Sequence, residues 1–149
     1  MTETITEAAR PLPRLAEPDT APFWKATGSG QLTYQVCGRC GGIVFYPRRH
    51  CTHCTSLDLA WHTSAGVGTI YTYTTIRQHG QEFFRRRVPY VVAFVDLDEG
   101  FRMLAEIAGM KPDEVRIGRR VRLDWEDHGE VRVPIFRPEQ SSDVRTNDR

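Results

Sequence analysis

Cys37, Cys40, Cys51 and Cys54 form two Cys-x-x-Cys pairs, and the chain has no other cysteine. Two thiolates three residues apart can grip one ion from a tight turn. Two such turns facing each other make a closed tetrahedral sulfur site, the geometry that zinc prefers. Gly38, Gly41 and Gly42 beside the first pair suit the left-handed backbone of a metal knuckle. The spacing predicts a short rubredoxin-like zinc ribbon over residues 31–61. Zinc is the expected metal, and iron takes the same four-thiolate set. Four thiolates leave no open position for a reacting water, so the metal is expected to be structural. His50 and His53 flank the second pair and could replace one thiolate. A shell already complete makes them solvated knuckle residues instead.

Disulfides would need an oxidising compartment, yet the N-terminus MTETITEAARPLP has no apolar core of a secretory signal. A cytoplasmic protein with reduced thiols is expected. No apolar run approaches the roughly 20 residues that cross a bilayer, so no membrane partner is expected. Twenty basic and 19 acidic residues leave a net charge of +1. A protein devoted to a polyanion needs a surplus of Lys and Arg, which makes nucleic acid a poor match.

The chain divides into a polar N-terminus (1–17), expected to be flexible, and a leading helix within 18–30. Asp19 or Thr20 caps that helix, and Gly28 ends it. Phe23 and Trp24 are large for so short a helix and must bury against the body or a partner. In the ribbon, Leu32, Tyr34 and Val36 lead into the first knuckle. A run of strands occupies 62–137, and residues 138–149 read as a disordered tail.

The strands are legible one by one. Residues 69–76 alternate Ile70, Thr72, Thr74 and Ile76 against Tyr71 and Tyr73. Residues 89–97 are the most apolar, Asp98-Glu99-Gly100 is a hairpin turn, and 101–107 return antiparallel. A short helical turn follows at 111–115, with Pro112 at its start. Val121, Leu123 and Trp125 alternate in a fourth strand, and 131–136 make a fifth. Five strands with one short helix between the third and fourth is the plan of an OB-fold barrel. The expected fold is mainly β: a leading helix, a ribbon and a five-stranded barrel, with Val91, Phe94, Leu104 and Val121 in the barrel core. Asp96, Asp98 and Glu99 could be paired carboxylates, but a turn explains them better. No catalytic constellation stands out.

Phe23-Trp24, CGRCGG with Tyr46-Pro47-Arg48, CTHC, Trp61 and the Ser64–Gly68 link together carry a family resemblance. Tyr71–Thr74, Pro89–Ala93, Leu97–Gly100, Ile117-Gly118 and Phe136–Pro138 extend it. The chain resembles the zinc-ribbon/OB-fold acyl-CoA-associated proteins, long catalogued as a domain of unknown function. The resemblance covers about residues 20–138. It implies a non-catalytic companion of a thiolase-superfamily enzyme, one that binds acyl-CoA or docks onto a thiolase, acyltransferase or aldolase in CoA-ester metabolism such as lipid or sterol side-chain degradation. For CoA or partner binding the candidate residues are Phe83, Phe84, Arg85, Arg86 and Arg87, in the loop between the first two barrel strands. Guanidinium groups match phosphates, and an aromatic ring can stack on adenine or insert into a protein. A plain solvated edge is the third reading. The competing function is single-stranded nucleic-acid binding, with Tyr71, Tyr73 and Phe84 as stacking platforms.

Overall fold

A computed structural model describes residues 8–140. Expectations for residues 1–7 and 141–149 lie outside the described residues. Helix α1, Ala21–Gly28, starts at Thr20 with Pro22 in its first turn, and buries Phe23. The ribbon sheet has the order β2-β1-β3, with β1 Thr33–Cys37, β2 Ile43–Val44 and β3 Leu59–Thr63. The barrel is built from β4 Val67–Ile76, β5 Tyr90–Leu97, β6 Arg102–Ile107, β7 Arg120–His128 and β8 Val131–Pro138. It closes in the order β4-β5-β6-β8-β7, with β6 and β8 the only parallel pair among the described residues. A single 3-10 turn, Pro112–Glu114, sits between the third and fourth barrel strands. This is the OB-fold plan read from the sequence. Among the described residues no helix is long and apolar enough to cross a membrane.

Alternation fixes what each strand buries. β5 turns Val91, Ala93, Val95 and Leu97 inward, and β6 answers with Met103, Ala105 and Ile107. Val121 is fully buried, as expected, whereas Phe94 and Leu104 correct the expectation: they are 40% and 49% exposed. They are cross-strand partners on the outer face. A continuous apolar run hides its parity, and a register one residue out moves every side chain to the other face. In β4 a bulge between Ile70 and Thr72 breaks the read alternation. Ile70 is buried and Tyr71 exposed, but beyond the bulge Tyr73 packs against the core.

The ribbon base and the barrel share one core. Phe23, Leu32 and Tyr34 join the barrel residues in a single cluster. Tyr34 stacks on Phe101 with ring centroids 4.9 Å apart, and Phe45 lies 4.7 Å from the same ring. The Tyr46 hydroxyl accepts the Leu104 N–H at 2.8 Å. Above this base, Cys37, Val44 and Cys51 form a second, much smaller cluster.

Candidate functional site

The two knuckles repeat one backbone pattern. The Cys37 N–H donates to the Gly42 carbonyl and Cys51 N–H to Ser56, at 2.9 and 2.8 Å. The Gly41 N–H donates back to Cys37 and Thr55 N–H to Cys51, at 2.9 and 3.0 Å. These turns need a left-handed residue at the fifth position. Gly41 supplies it at φ +71°, and Thr55 does the same at +64°. At Gly42 an added Cβ would lie 2.5 Å from the His53 ring, so a larger residue there would push that ring aside.

These turns bring all four sulfurs within 4.8 Å of one another. Cys37 to Cys54 and Cys40 to Cys51 are each 3.6 Å apart. Zn–S bonds of about 2.3 Å in a tetrahedron place sulfurs about 3.8 Å apart, so the observed cluster has the right size. The Gly42 and His53 N–H groups donate to the Cys40 and Cys51 sulfurs at 3.4 and 3.3 Å. The Cys40 and Arg39 N–H groups and the Cys54 thiol hold the Cys37 thiol down at about 6. The Gly42 N–H favours the Cys40 thiolate, but the crowding thiol of Cys54, burial and the thiols of Cys51 and Cys37 push it up to about 12. Four thiols so close cannot all ionise unless a cation sits among them, and a zinc ion supplies that charge. The residues fit the metal that the ribbon implies. His53 Nε2 lies 3.1 Å from the Ile43 carbonyl, outside the cluster.

The first barrel loop is less open than its composition suggests. It carries a short helix, α2, Glu82–Arg85, where the sequence predicts a loop. Arg87 donates to both carboxylate oxygens of Glu126 at 2.9 and 2.7 Å and to Glu106 at 3.3 Å. Its guanidinium lies 5.0 Å from the Phe83 ring centre. Arg86 pairs with Glu82 one turn back, and Arg85 reaches the Gly80 carbonyl at 3.4 Å. Phe83 and Phe84 meet edge to face at 5.1 Å, and the His79 ring packs on Phe84. Of the three arginines, one is thus held internally, and Arg85 and Arg86 face solvent. Hydrogen bonds from Arg87 hold Glu126 at about 2, whereas burial raises Glu106 above the usual carboxylate range.

The carboxylates at the hairpin turn are engaged too. Asp96 pairs with Arg102 and Asp98 with Arg120, at 2.6 and 2.7 Å. Glu99 Oε1 accepts the Ser64 hydroxyl and the Ala65 N–H, which ties the ribbon–barrel link to the turn.

Sequence reading missed an outer apolar face. Tyr46, Tyr71, Phe94 and Leu104 are each at least two-fifths exposed. Arg102 lies 3.4 Å over the Tyr71 ring. Beside this face, a cavity of about 180 Å³ opens between α1, the exit of β2 and β6, lined among others by Trp24, Phe45, Tyr46, Leu104 and Pro134. The available signal was the apolar run on β5 and β6, which puts large side chains at outward positions where polar ones are usual.

Knuckles and closed barrel define a zinc-ribbon/OB-fold protein. Residues 24–60 match the ChsH2 rubredoxin-like zinc ribbon domain, and residues 61–126 match the ChsH2 C-terminal OB-fold domain. The chain belongs to this ChsH2-type DUF35 family. A DUF35 domain-containing scaffold protein of Methanothermobacter thermautotrophicus is 36% identical over 104 residues, 64% of this chain and 77% of that protein. A probable enoyl-CoA hydratase alpha subunit of Thermomonospora curvata is 36% identical over 138 residues, 92% of this chain. This chain spans only 42% of that subunit's length. The solved Ltp2-ChsH2(DUF35) aldolase contains a chain that superimposes with a TM-score of 0.77 at 34% identity, over 85% of this chain and 98% of that one.

Proposed function

We propose that the protein is a non-catalytic accessory subunit that docks onto a thiolase-like enzyme acting on CoA esters. The observation that carries this reading is the likeness, over 85% of this chain, to a chain of the Ltp2-ChsH2(DUF35) aldolase. The names of relatives, a scaffold protein and a CoA-ester hydratase subunit, support the same setting. The surface supports it as well. Tyr46, Tyr71, Phe94 and Leu104 offer apolar area on the barrel's outer face. The adjoining cavity, about 180 Å³, falls below the roughly 300–1,000 Å³ of small-molecule sites and suits one anchor side chain of a partner. Glu106, the carboxylate that lines the cavity, is paired with Arg87 at 3.3 Å, and Asp96 beside the face is paired with Arg102.

The CoA part of the proposal rests on the first loop. With Arg87 held by Glu126, phosphate contact falls to Arg85 and Arg86, with Phe83 and Phe84 beside them. A charge-assisted contact contributes about 1.5–3 kcal/mol when well made and little when exposed.

Purification at native expression level, with mass spectrometry of the proteins retained, tests the docking. A thiolase-like enzyme is expected to be retained, and Phe94→Asp with Leu104→Asp should weaken that association about tenfold or more, the ratio set by about 1.4 kcal/mol. Both side chains are exposed, so the fold should persist. An Arg85→Ala, Arg86→Ala double variant tests acyl-CoA contact separately. Turnover of acyl-CoA by the isolated chain, or salt-sensitive oligonucleotide binding with no such partner, would refute the proposal.

A further inference from the structure

Among the described residues before α1, Arg10 reaches across to the barrel. Arg10 is only 15% exposed, whereas Arg14, four residues on, is 89% exposed. The Arg10 guanidinium lies 5.6 Å from the Phe83 ring centre and 5.2 Å from that of Phe84. It donates to Glu126 Oε1 at 2.9 Å. A planar guanidinium on aromatic rings with a carboxylate at its edge is a recognition geometry that an ammonium cannot reproduce. Charge agrees. Without Arg10, the carboxylates of Glu106 and Glu126 face one guanidinium, Arg87, and the His128 imidazole. A further cation completes the cluster.

We propose that Phe83, Phe84 and Glu126 form a guanidinium-binding cradle, filled from within the chain by Arg10, so that residues 8–12 act as a strap holding the first barrel loop in shape. The strap bridges 116 positions of sequence to reach β7. It also covers ring surface of the two aromatics that would otherwise face CoA or a partner. No partner is needed for this contact, so it stands apart from the docking reading.

Hydrogen exchange on the full chain tests it, read at the α2 amides. The Arg85, Arg86 and Arg87 N–H groups close that turn onto Gln81, Glu82 and Phe84. In Arg10→Ala these amides are expected to exchange about tenfold faster, equivalent to about 1.4 kcal/mol of lost protection. β5 amides should be unchanged, which reports that the barrel is folded. Millimolar ethylguanidinium should restore protection in Arg10→Ala, and ethylammonium at equal ionic strength should not. Arg10→Lys should recover only part of it. Unchanged α2 exchange in Arg10→Ala, or equal rescue by ethylammonium, would overturn the cradle.

Discussion

The knuckle tip and the barrel are stabilised by different means. The barrel and the ribbon base share a core of fifteen buried residues, from Phe23 to Phe136. The tip buries only Cys37, Val44 and Cys51. Apolar burial contributes about 25 cal/mol per Å², so three small side chains cannot order two loops. The tip is therefore expected to depend on its four sulfurs and the ion they would hold. Tyr34, Phe45 and Tyr46 mark the boundary: they belong to the ribbon in sequence and to the barrel in packing. A short module can therefore be metal-dependent at one end and core-dependent at the other.

The largest effect should come from the tip. Structural zinc in small modules carries an apparent binding free energy on the order of 10–16 kcal/mol. Cys40→Ser should abolish stoichiometric metal in elemental analysis and open both knuckles. Unchanged metal content would break the comparison from the ribbon side. In the barrel, Phe136 is fully buried. Phe136→Ala should cost about 3–5 kcal/mol in urea denaturation and leave metal content intact. Loss of metal in that variant would mean that the two regions do not separate.

Acid sharpens the barrel side. Glu126 titrates near 2 when folded, against an ordinary 4.5 when unfolded, so the folded state binds fewer protons in that window. Its contribution is present above about pH 4.5 and is lost as pH falls towards 2. Glu106, raised by burial, runs the other way, since folding favours its neutral form. Glu126→Gln should therefore flatten the acid limb of a melting-temperature profile. An unchanged limb would remove Glu126 from the explanation. The smallest effect is expected at Thr55, a β-branched residue at φ +64°. Thr55→Gly should stabilise the metal-bound tip by about 1 kcal/mol, because Gly41 already fills the equivalent place. A lower resistance to chelator would contradict this.

Local signals were legible in the sequence. The cysteine spacing named the metal site, and turn residues marked the hairpin at Asp98–Gly100. The five-strand order named the barrel. Two kinds of feature were hidden. Parity in an apolar run depends on which face closes over it, so Phe94 and Leu104 were placed inside. Long-range ion pairs leave no local trace: Arg87 meets Glu126 across 39 positions, and Arg10 meets it across 116. The run Arg85-Arg86-Arg87 reads as one basic patch, although Arg85 and Arg86 face solvent and Arg87 is held by Glu126. The short helix Glu82–Arg85 was missed because four residues give no period to read.

The most direct test follows hydrogen exchange while zinc is removed by a chelator from the intact chain. Amides of residues 37–42 and 51–56 should lose protection as metal leaves. Those of β5 and β7 should keep theirs, together with Tyr34 at the ribbon base. Simultaneous loss of protection in tip and barrel would contradict the separation of a metal-held tip from a core-held barrel.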